Sequence, residues 1–184
     1  IYLRITIENS ESFSSAFESI TSERLHHPVT GITTDSRELV DGDLYVALKG
    51  KNFDGHSFLS EVSQKGASAA LVSKQDSELD FQQILVEDTI NIIEKIAQNW
   101  RKKFKIPVIA ITGSNGKTST KELLSHVLSQ KYKVHVTKGN FNTNIGLSLT
   151  LLELNDSHDV SIIEMGASLP GEIELLCKIA MPTH

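Results

Sequence analysis

Cysteine is nearly missing from this chain: among its 184 residues there is 1, Cys177. A lone thiol closes no internal disulfide, and its neighbours Leu175, Leu176, Ile179 and Ala180 mark a buried packing position on a helix. Also missing is any apolar run approaching a membrane span, and the N-terminus lacks a basic segment leading into a hydrophobic one. Positive charge is not in excess, since 18 Lys and Arg stand against 23 Asp and Glu for a net -5. That balance argues against a nucleic-acid or anionic-membrane surface, so a phosphate ligand would have to be met by a local cluster such as Lys117 and Lys121. Histidines lack metal spacing: His26 and His27 precede Pro28 in a loop, His126 falls in a helix and His135 in a strand, all structural or surface positions with no zinc pattern. No Ser, His and Asp set can be argued, and neither repeats nor low-complexity tracts occur. A monomer in a reducing cytoplasm is the simplest expectation. Because Ile1 is not an initiator methionine and the chain stops at His184 just after a helix, it reads as an excerpt from something longer.

What is present begins with Pro107 to Leu128, PVIAITGSNGKTSTKELLSHVL. Val108 to Ile111 is a short continuous apolar run, the pattern of a strand buried on both faces of a parallel sheet. Gly113 to Gly116 break it, and from Lys117 onward Leu123, Leu124, Val127 and Leu128 mark one apolar face of a helix. A helix N-terminus presents unpaired N–H groups and partial positive charge, which suit a phosphate. Gly113 and Gly116 let the backbone wrap closely, Lys117 can set an ammonium against the outer phosphates, and the Thr118 hydroxyl can hold a bridging Mg²⁺. The general phosphate-loop pattern would need a glycine where Ile111 stands, so this is a shorter variant. The plainer alternative is a strand-to-helix turn in which Gly-Lys-Thr serves only the start of the helix.

The remaining pattern alternates strand and helix. An edge strand over Tyr2, Leu3, Ile5 and Ile7 and a helix near Ser12 to Ile20 open the chain. A strand from Val29 into Asp35-Ser36-Arg37, a turn at Asp41-Gly42-Asp43 and a strand from Leu44 to Leu48 follow. Then come a helix His56 to Lys65, strands Ala69 to Val72 and Gln83 to Val86, and a helix Thr89 to Phe104 with Ile92, Ile93, Ile96, Ala97 and Trp100 inward. Past the phosphate-loop helix the pattern predicts strand Lys133 to Thr137, helix Asn144 to Leu154, strand Val160 to Met165 and helix Gly171 to Ala180. The fold class is α/β: an N-terminal α/β domain over residues 1–104, then an incomplete parallel, doubly wound sheet over 105–184, divided near Lys105.

Glu164 ends a buried strand, where ligand crevices open in such sheets, and could hold Mg²⁺ opposite Thr118 or simply be solvated or cap the next helix. Asn140, Asn142, Thr143 and Asn144 lie between a strand and a helix, where amides serve either a phosphate or substrate, or ordinary turns and caps. Asp35-Ser36-Arg37, and Lys49-Gly50 through Asp54-Gly55-His56, are solvated loops by default. Because both follow consecutive strands of one sheet, they hint at a shared rim.

Taken together, TGSNGKTSTKE, GNFNTNIGLSLTLL and IIEMGASLPGEI, in that order, resemble the central ATP-binding domain of the Mur ligases. DSRELVDGDLYVALKGKNFDGHSFLSEVSQKGASAALV resembles their N-terminal domain, which holds the UDP end of a cell-wall precursor, and the likeness runs from Gly31 to His184. The resemblance implies an ATP- and Mg²⁺-dependent amide ligase of peptidoglycan synthesis, serving cell shape and division. NFNTNIG and EMGASLPGEI favour the branch joining D-alanyl-D-alanine to UDP-N-acetylmuramoyl-tripeptide over the branch adding the third amino acid. By the same resemblance Thr112, Gly113, Ser114, Asn115, Gly116, Lys117 and Thr118 bind ATP phosphates, Thr118 and Glu164 face Mg²⁺, and Asn144 lies beside both. Ser36, Arg37, Lys49, Gly50, Asp54, Gly55 and His56 would line the uridine and pyrophosphate pocket, with Asn140, Asn142 and Thr143 nearer the sugar-peptide portion. The family's modified lysine, metal-facing histidine and C-terminal domain have no counterpart up to His184, so the chain is expected to be inert by itself. A phosphate-loop nucleotidase and a non-catalytic precursor-binding module are the competing readings.

Overall fold

Alternating strands and helices in the computed structural model, which describes residues 4–50 and 52–184, build two separate sheets. The division between two compact units, Ile1–Ile96 and Ala97–His184, falls inside one helix, α3 (Thr89–Arg101). The last turn of that helix is tied to the second unit, because the Trp100 indole donates to Leu154 O and the buried Arg101 guanidinium to Ala180 O.

In the first unit β1 (Arg4–Thr6) runs antiparallel to β2 (Gly31–Thr33), and β3 (Asp43–Val46), β4 (Ala69–Val72) and β5 (Gln83–Leu85) follow in parallel. Tyr2 and Leu3 of the expected edge strand lie outside the described residues, whereas Ile5 falls in β1. Strands β2, β3 and β4 are buried along their whole length, as strands covered on both faces of a sheet are, with Thr33 and Asp43 the polar members. On one side Leu39, Tyr45, Ala47, Leu59, Val62, Ala70 and Val72 form a core. Helix α1 (Ser10–Thr21) starts at Asn9, whose side chain accepts from Ser12 N, and buries Phe13, Ala16 and Phe17. The helix expected from His56 to Lys65 is two pieces, a 3₁₀ turn Gly55–Phe58 capped by the Asp54 carboxylate and α2 (Leu59–Gln64).

Strand pairing at Gly31 depends on the missing side chain. A Cβ there would stand 2.5 Å from both Asp43 Oδ1 and Ile5 O and 2.8 Å from the Arg4 guanidinium. Asp43 is fully buried and takes two bonds from Arg4, each 2.8 Å, so the sheet edge is locked by a bidentate ion pair that only glycine leaves room for.

Helix α3 (Thr89–Arg101) leads to the second sheet, in the order β6 (Val108–Ile111), β8 (Val160–Glu164), β7 (Val134–Val136), all parallel. Central β8 is buried throughout. Helix α5 (Asn144–Leu152) is buried from Gly146 to Leu152, and α6 (Glu172–Ala180) buries Leu176, Ile179 and Ala180. The outer edge of β6 is covered where Thr183 N donates to Val108 O and Ala110 N to His184 O.

Three expectations need correction. The apolar face foreseen on α4 (Lys117–Leu128) is turned away at Leu123 and Val127, which are 67% and 58% exposed, while the buried residue of the helix is Lys121. Helical geometry explains it, because Leu124 and Leu128 follow Lys121 by about one and two turns and share its face, whereas Leu123 and Val127 point the other way. With its ammonium inside, Lys121 does not join Lys117 at a phosphate. Cys177 is half-buried rather than buried, its Sγ 3.8 Å from Met165 Sδ. No helix among the described residues is long and apolar enough to cross a membrane.

Candidate functional site

The turn between β6 and α4 is an exposed loop held by its own atoms. Gly116 caps α4 in the left-handed region at φ 75°, and Lys117 Nζ bends back to donate to Gly113 O at 2.7 Å. Thr112 to Gly116 and Thr118 are exposed, so the first-turn amides, which have no acceptor within the helix, face outward beside a lysine ammonium. Glu164 is next to this loop, because its strand position pairs with Ile111, the last residue before it.

Glu164 is held on two sides. Its backbone N donates to Thr137 Oγ1 at 3.0 Å, and its Oε1 accepts from Asn142 Nδ2 at 2.9 Å. Asn142 in turn needs Gly166: Gly166 N donates to Asn142 O at 2.8 Å, and a Cβ at 166 would stand 2.8 Å from Asn142 Cγ. The second carboxylate oxygen, Oε2, is buried without a hydrogen-bond partner among the described residues. Such an oxygen is costly unless something pairs with it. Mg²⁺ takes oxygen ligands, and a buried carboxylate oxygen left over beside a loop carrying the exposed Thr118 hydroxyl is a donor set that fits it.

A cavity of about 380 Å³ opens at the same end of the sheet, lined by Lys117, Asn142, Thr143, Asn144, Gly166 and Glu172 among others. It joins three of the asparagine-loop candidates to the phosphate-loop lysine, whereas Asn140 stays exposed outside that lining. Glu172 accepts from Ser168 N at 2.6 Å and Leu169 N at 3.0 Å, and the Leu169 and Ser168 amides hold its carboxyl below the usual range. Sequence reasoning missed Glu172 as a lining residue, although its place directly after Gly171 was a signal for loop closure.

The first unit has its own cavity, about 850 Å³, over the ends of β2 and β3. Ser36, Arg37, Lys49 and Gly50 line it together, with Asp35, Phe53, Phe58 and Glu61 beside them. Asp35 grips Arg37 through both oxygens at 2.8 and 3.0 Å; despite partial desolvation, its Arg37 bonds bring the carboxyl below the usual value. Asp54 and His56 line a different depression of about 500 Å³. There His56 Nδ1 meets Asp54 Oδ1 at 2.6 Å and Nε2 accepts from Ser73 N at 2.9 Å, so the pair latches the loop to the end of β4. Gly55 is buried between Leu48 and Tyr45, where a Cβ would come within 2.9 Å of Leu48 N. The stacked pair Phe53 and Phe58, 5.6 Å between centroids, was not foreseen as part of the cavity. Its five-residue spacing around Asp54-Gly55-His56 was the available clue.

Comparison with known proteins points to one family. Residues 28–132 match "Mur ligase family, catalytic domain" and residues 111–184 match "Mur ligase middle domain". The chain is 46% identical over 171 residues to UDP-N-acetylmuramoyl-tripeptide–D-alanyl-D-alanine ligase of Synechocystis, covering 92% of this chain and 38% of that protein. Among solved structures it is similar to MurF from Acinetobacter baumannii, with 34% identity, TM-score 0.86, and coverage of 92% of this chain and 39% of the other. It is also similar to MurF ligase from Thermotoga maritima in complex with ADP, with 40% identity, TM-score 0.75, and coverage of 82% and 35%. The chain thus spans well under half the length of these relatives.

Proposed function

The chain belongs to the Mur ligase family, and from that premise we propose that it carries the nucleotide and UDP-precursor sites of a ligase joining D-alanyl-D-alanine to UDP-N-acetylmuramoyl-tripeptide. The observation that carries the reading is the meeting of Lys117, Asn142 and Asn144 at one cavity, with Glu164 and its unpartnered oxygen at the foot of the phosphate loop. The likeness to a MurF ligase in complex with ADP supports a nucleotide at that loop.

A carboxylate is a poor acyl donor. In the proposed reaction the peptide carboxylate oxygen attacks the γ-phosphorus of ATP and ADP leaves; the amine of D-alanyl-D-alanine then attacks the acyl carbon, loses a proton and expels phosphate. Loop amides from Gly113 to Thr118 and the Lys117 ammonium bind and orient the triphosphate and share its charge. Glu164 and Thr118 would hold Mg²⁺, which supplies further neutralisation of the phosphate oxygens. Ser36, Arg37, Lys49 and Gly50, with the Phe53 and Phe58 rings beside them, would receive the uridine and pyrophosphate portion. None of these residues needs to form a bond to substrate. A reducing cytoplasm and a monomeric state fit this role.

Calorimetric titration of the chain with Mg-ATP and, separately, with UDP-N-acetylmuramoyl-tripeptide tests the proposal; both should bind. Binding of ATP alone would favour a nucleotidase, and binding of the precursor alone a non-catalytic module. Preference for the dipeptide precursor over the tripeptide would move the chain to the branch adding the third residue.

A further inference from the structure

The second unit buries a lysine beside its candidate cation site. Lys121 is 0% exposed, although long charged side chains are almost never fully buried without partners. Its Nζ donates to Thr137 O at 2.7 Å and to Gly139 O at 3.3 Å, and pairs with Glu122 Oε1 at 3.0 Å. Glu164 Oε2 is farther, at 3.8 Å. An ammonium has three protons, and three nearer oxygens share them. The buried carboxylate therefore receives the field of the cation without a hydrogen bond that would cap its oxygen.

The two carbonyls matter as much as the charge. Thr137 also accepts the backbone N–H of Glu164 through its hydroxyl, and Gly139 begins the loop that carries Asn142 onto Glu164 Oε1. One ammonium on α4 thus fixes both supports of the carboxylate. We propose that Lys121 is a positioning residue for the cation site: it holds the supports of Glu164 in place while leaving Oε2 open for the magnesium that accompanies the nucleotide. This rests on the nucleotide reading above. Without the ammonium the carbonyls of Thr137 and Gly139 would lose their shared donor, both supports of the carboxylate would shift, and Glu164 would stop serving as a ligand.

The test is a double-mutant cycle on nucleotide binding, measured with Mg²⁺ and again with EDTA. Lys121→Met should weaken Mg-ATP binding at least 10-fold and change metal-free ATP binding less than 2-fold. In a Glu164→Gln background the same substitution should have no further effect on Mg-ATP binding, because both act through one oxygen. Lys121→Gln, which keeps a donor for the carbonyls but no charge, should fall between wild type and Lys121→Met; it also serves if the methionine variant fails to fold, which circular dichroism reports. Equal losses with and without metal, or additive losses in the cycle, would reduce Lys121 to a structural residue and overturn the proposal. Tighter Mg-ATP binding by Lys121→Met would overturn it too, since the ammonium would then act chiefly by repelling the cation. If the unaltered chain shows no Mg²⁺-dependent ATP binding, the nucleotide reading itself fails and takes this inference with it.

Discussion

The two units present their candidate sites in opposite electrostatic conditions. In the first, several charges at the rim are paired: Asp35 holds Arg37, and Lys65 bonds Ser36 O at 2.7 Å and Glu61 at 2.8 Å. In the second, the loop amides face outward and Glu164 Oε2 has no hydrogen bond among the described residues. The difference teaches what each is built to receive. A largely paired rim with two stacked phenylalanines suits shape and a flat ring. A buried carboxylate oxygen without a hydrogen-bond donor among the described residues, beside outward amides and a lysine ammonium, suits a cation and the phosphates it travels with.

The largest expected effect separates the units by acid. His135 is buried in β7, donating from one nitrogen to Thr150 O at 2.8 Å with the other 2.7 Å from Ser161 Oγ; burial, with His158 alongside, pushes its pKa down to about 3. Unfolded, it binds a proton near pH 6.5, so between pH 6.5 and 3 the unfolded state holds more protons than the folded one. Stability of the second unit is therefore intact above that window and declines through it, by a total on the order of 5 kcal/mol. In the first unit the lowered carboxyls are Asp35, Asp54 and Glu61, whose contributions persist until pH falls below their ordinary values of 3.8, 3.8 and 4.5. Hydrogen exchange across a pH series should show residues 97–184 opening first as pH falls from 6.5 to 5; simultaneous opening would erase the contrast.

Next in size, Lys117→Ala should weaken Mg-ATP binding about 100-fold, or about 2.8 kcal/mol, and leave precursor binding unchanged in the same titration. Gly166→Ala should follow, with about a 10-fold loss of Mg-ATP affinity, because the new methyl displaces Asn142 and with it the support of Glu164. Smallest is Phe53→Ala, which exposes one face of Phe58 and should cost precursor binding about 5-fold, with Mg-ATP unaffected. If Phe53→Ala weakened ATP binding instead, the assignment of the two cavities would have to be exchanged.

Much of this was legible in the chain. Val108 to Ile111 and Val160 to Ile163 announced their strands, although only Val108 of the first is buried and Ser161 breaks the apolar run of the second. Glycines at 113 and 116 announced the turn, and the resemblance placed Glu164 opposite it. Lys121 was misread, since a sequence does not reveal that two carbonyls and two carboxylates sixteen to forty-odd residues distant, or adjacent, will close around an ammonium. Leu123 and Val127 misled for the same reason: periodicity reveals that a helix has an apolar stripe, not which stripe meets the sheet. The clustering of Asp35 with Arg37 was readable from their spacing, but the cavity beside them needed Phe53 and Phe58 brought together by the intervening turn.

Gly31 carries a liability of another kind. Any larger residue there would press on Ile5 O and the Arg4–Asp43 pair and push β1 off its neighbour. The ladder of β2 would then stand open to strands from other copies, a template for aggregation. Damage from a codon change at this position would thus surface as poor yield and precipitate rather than as a change in any binding constant.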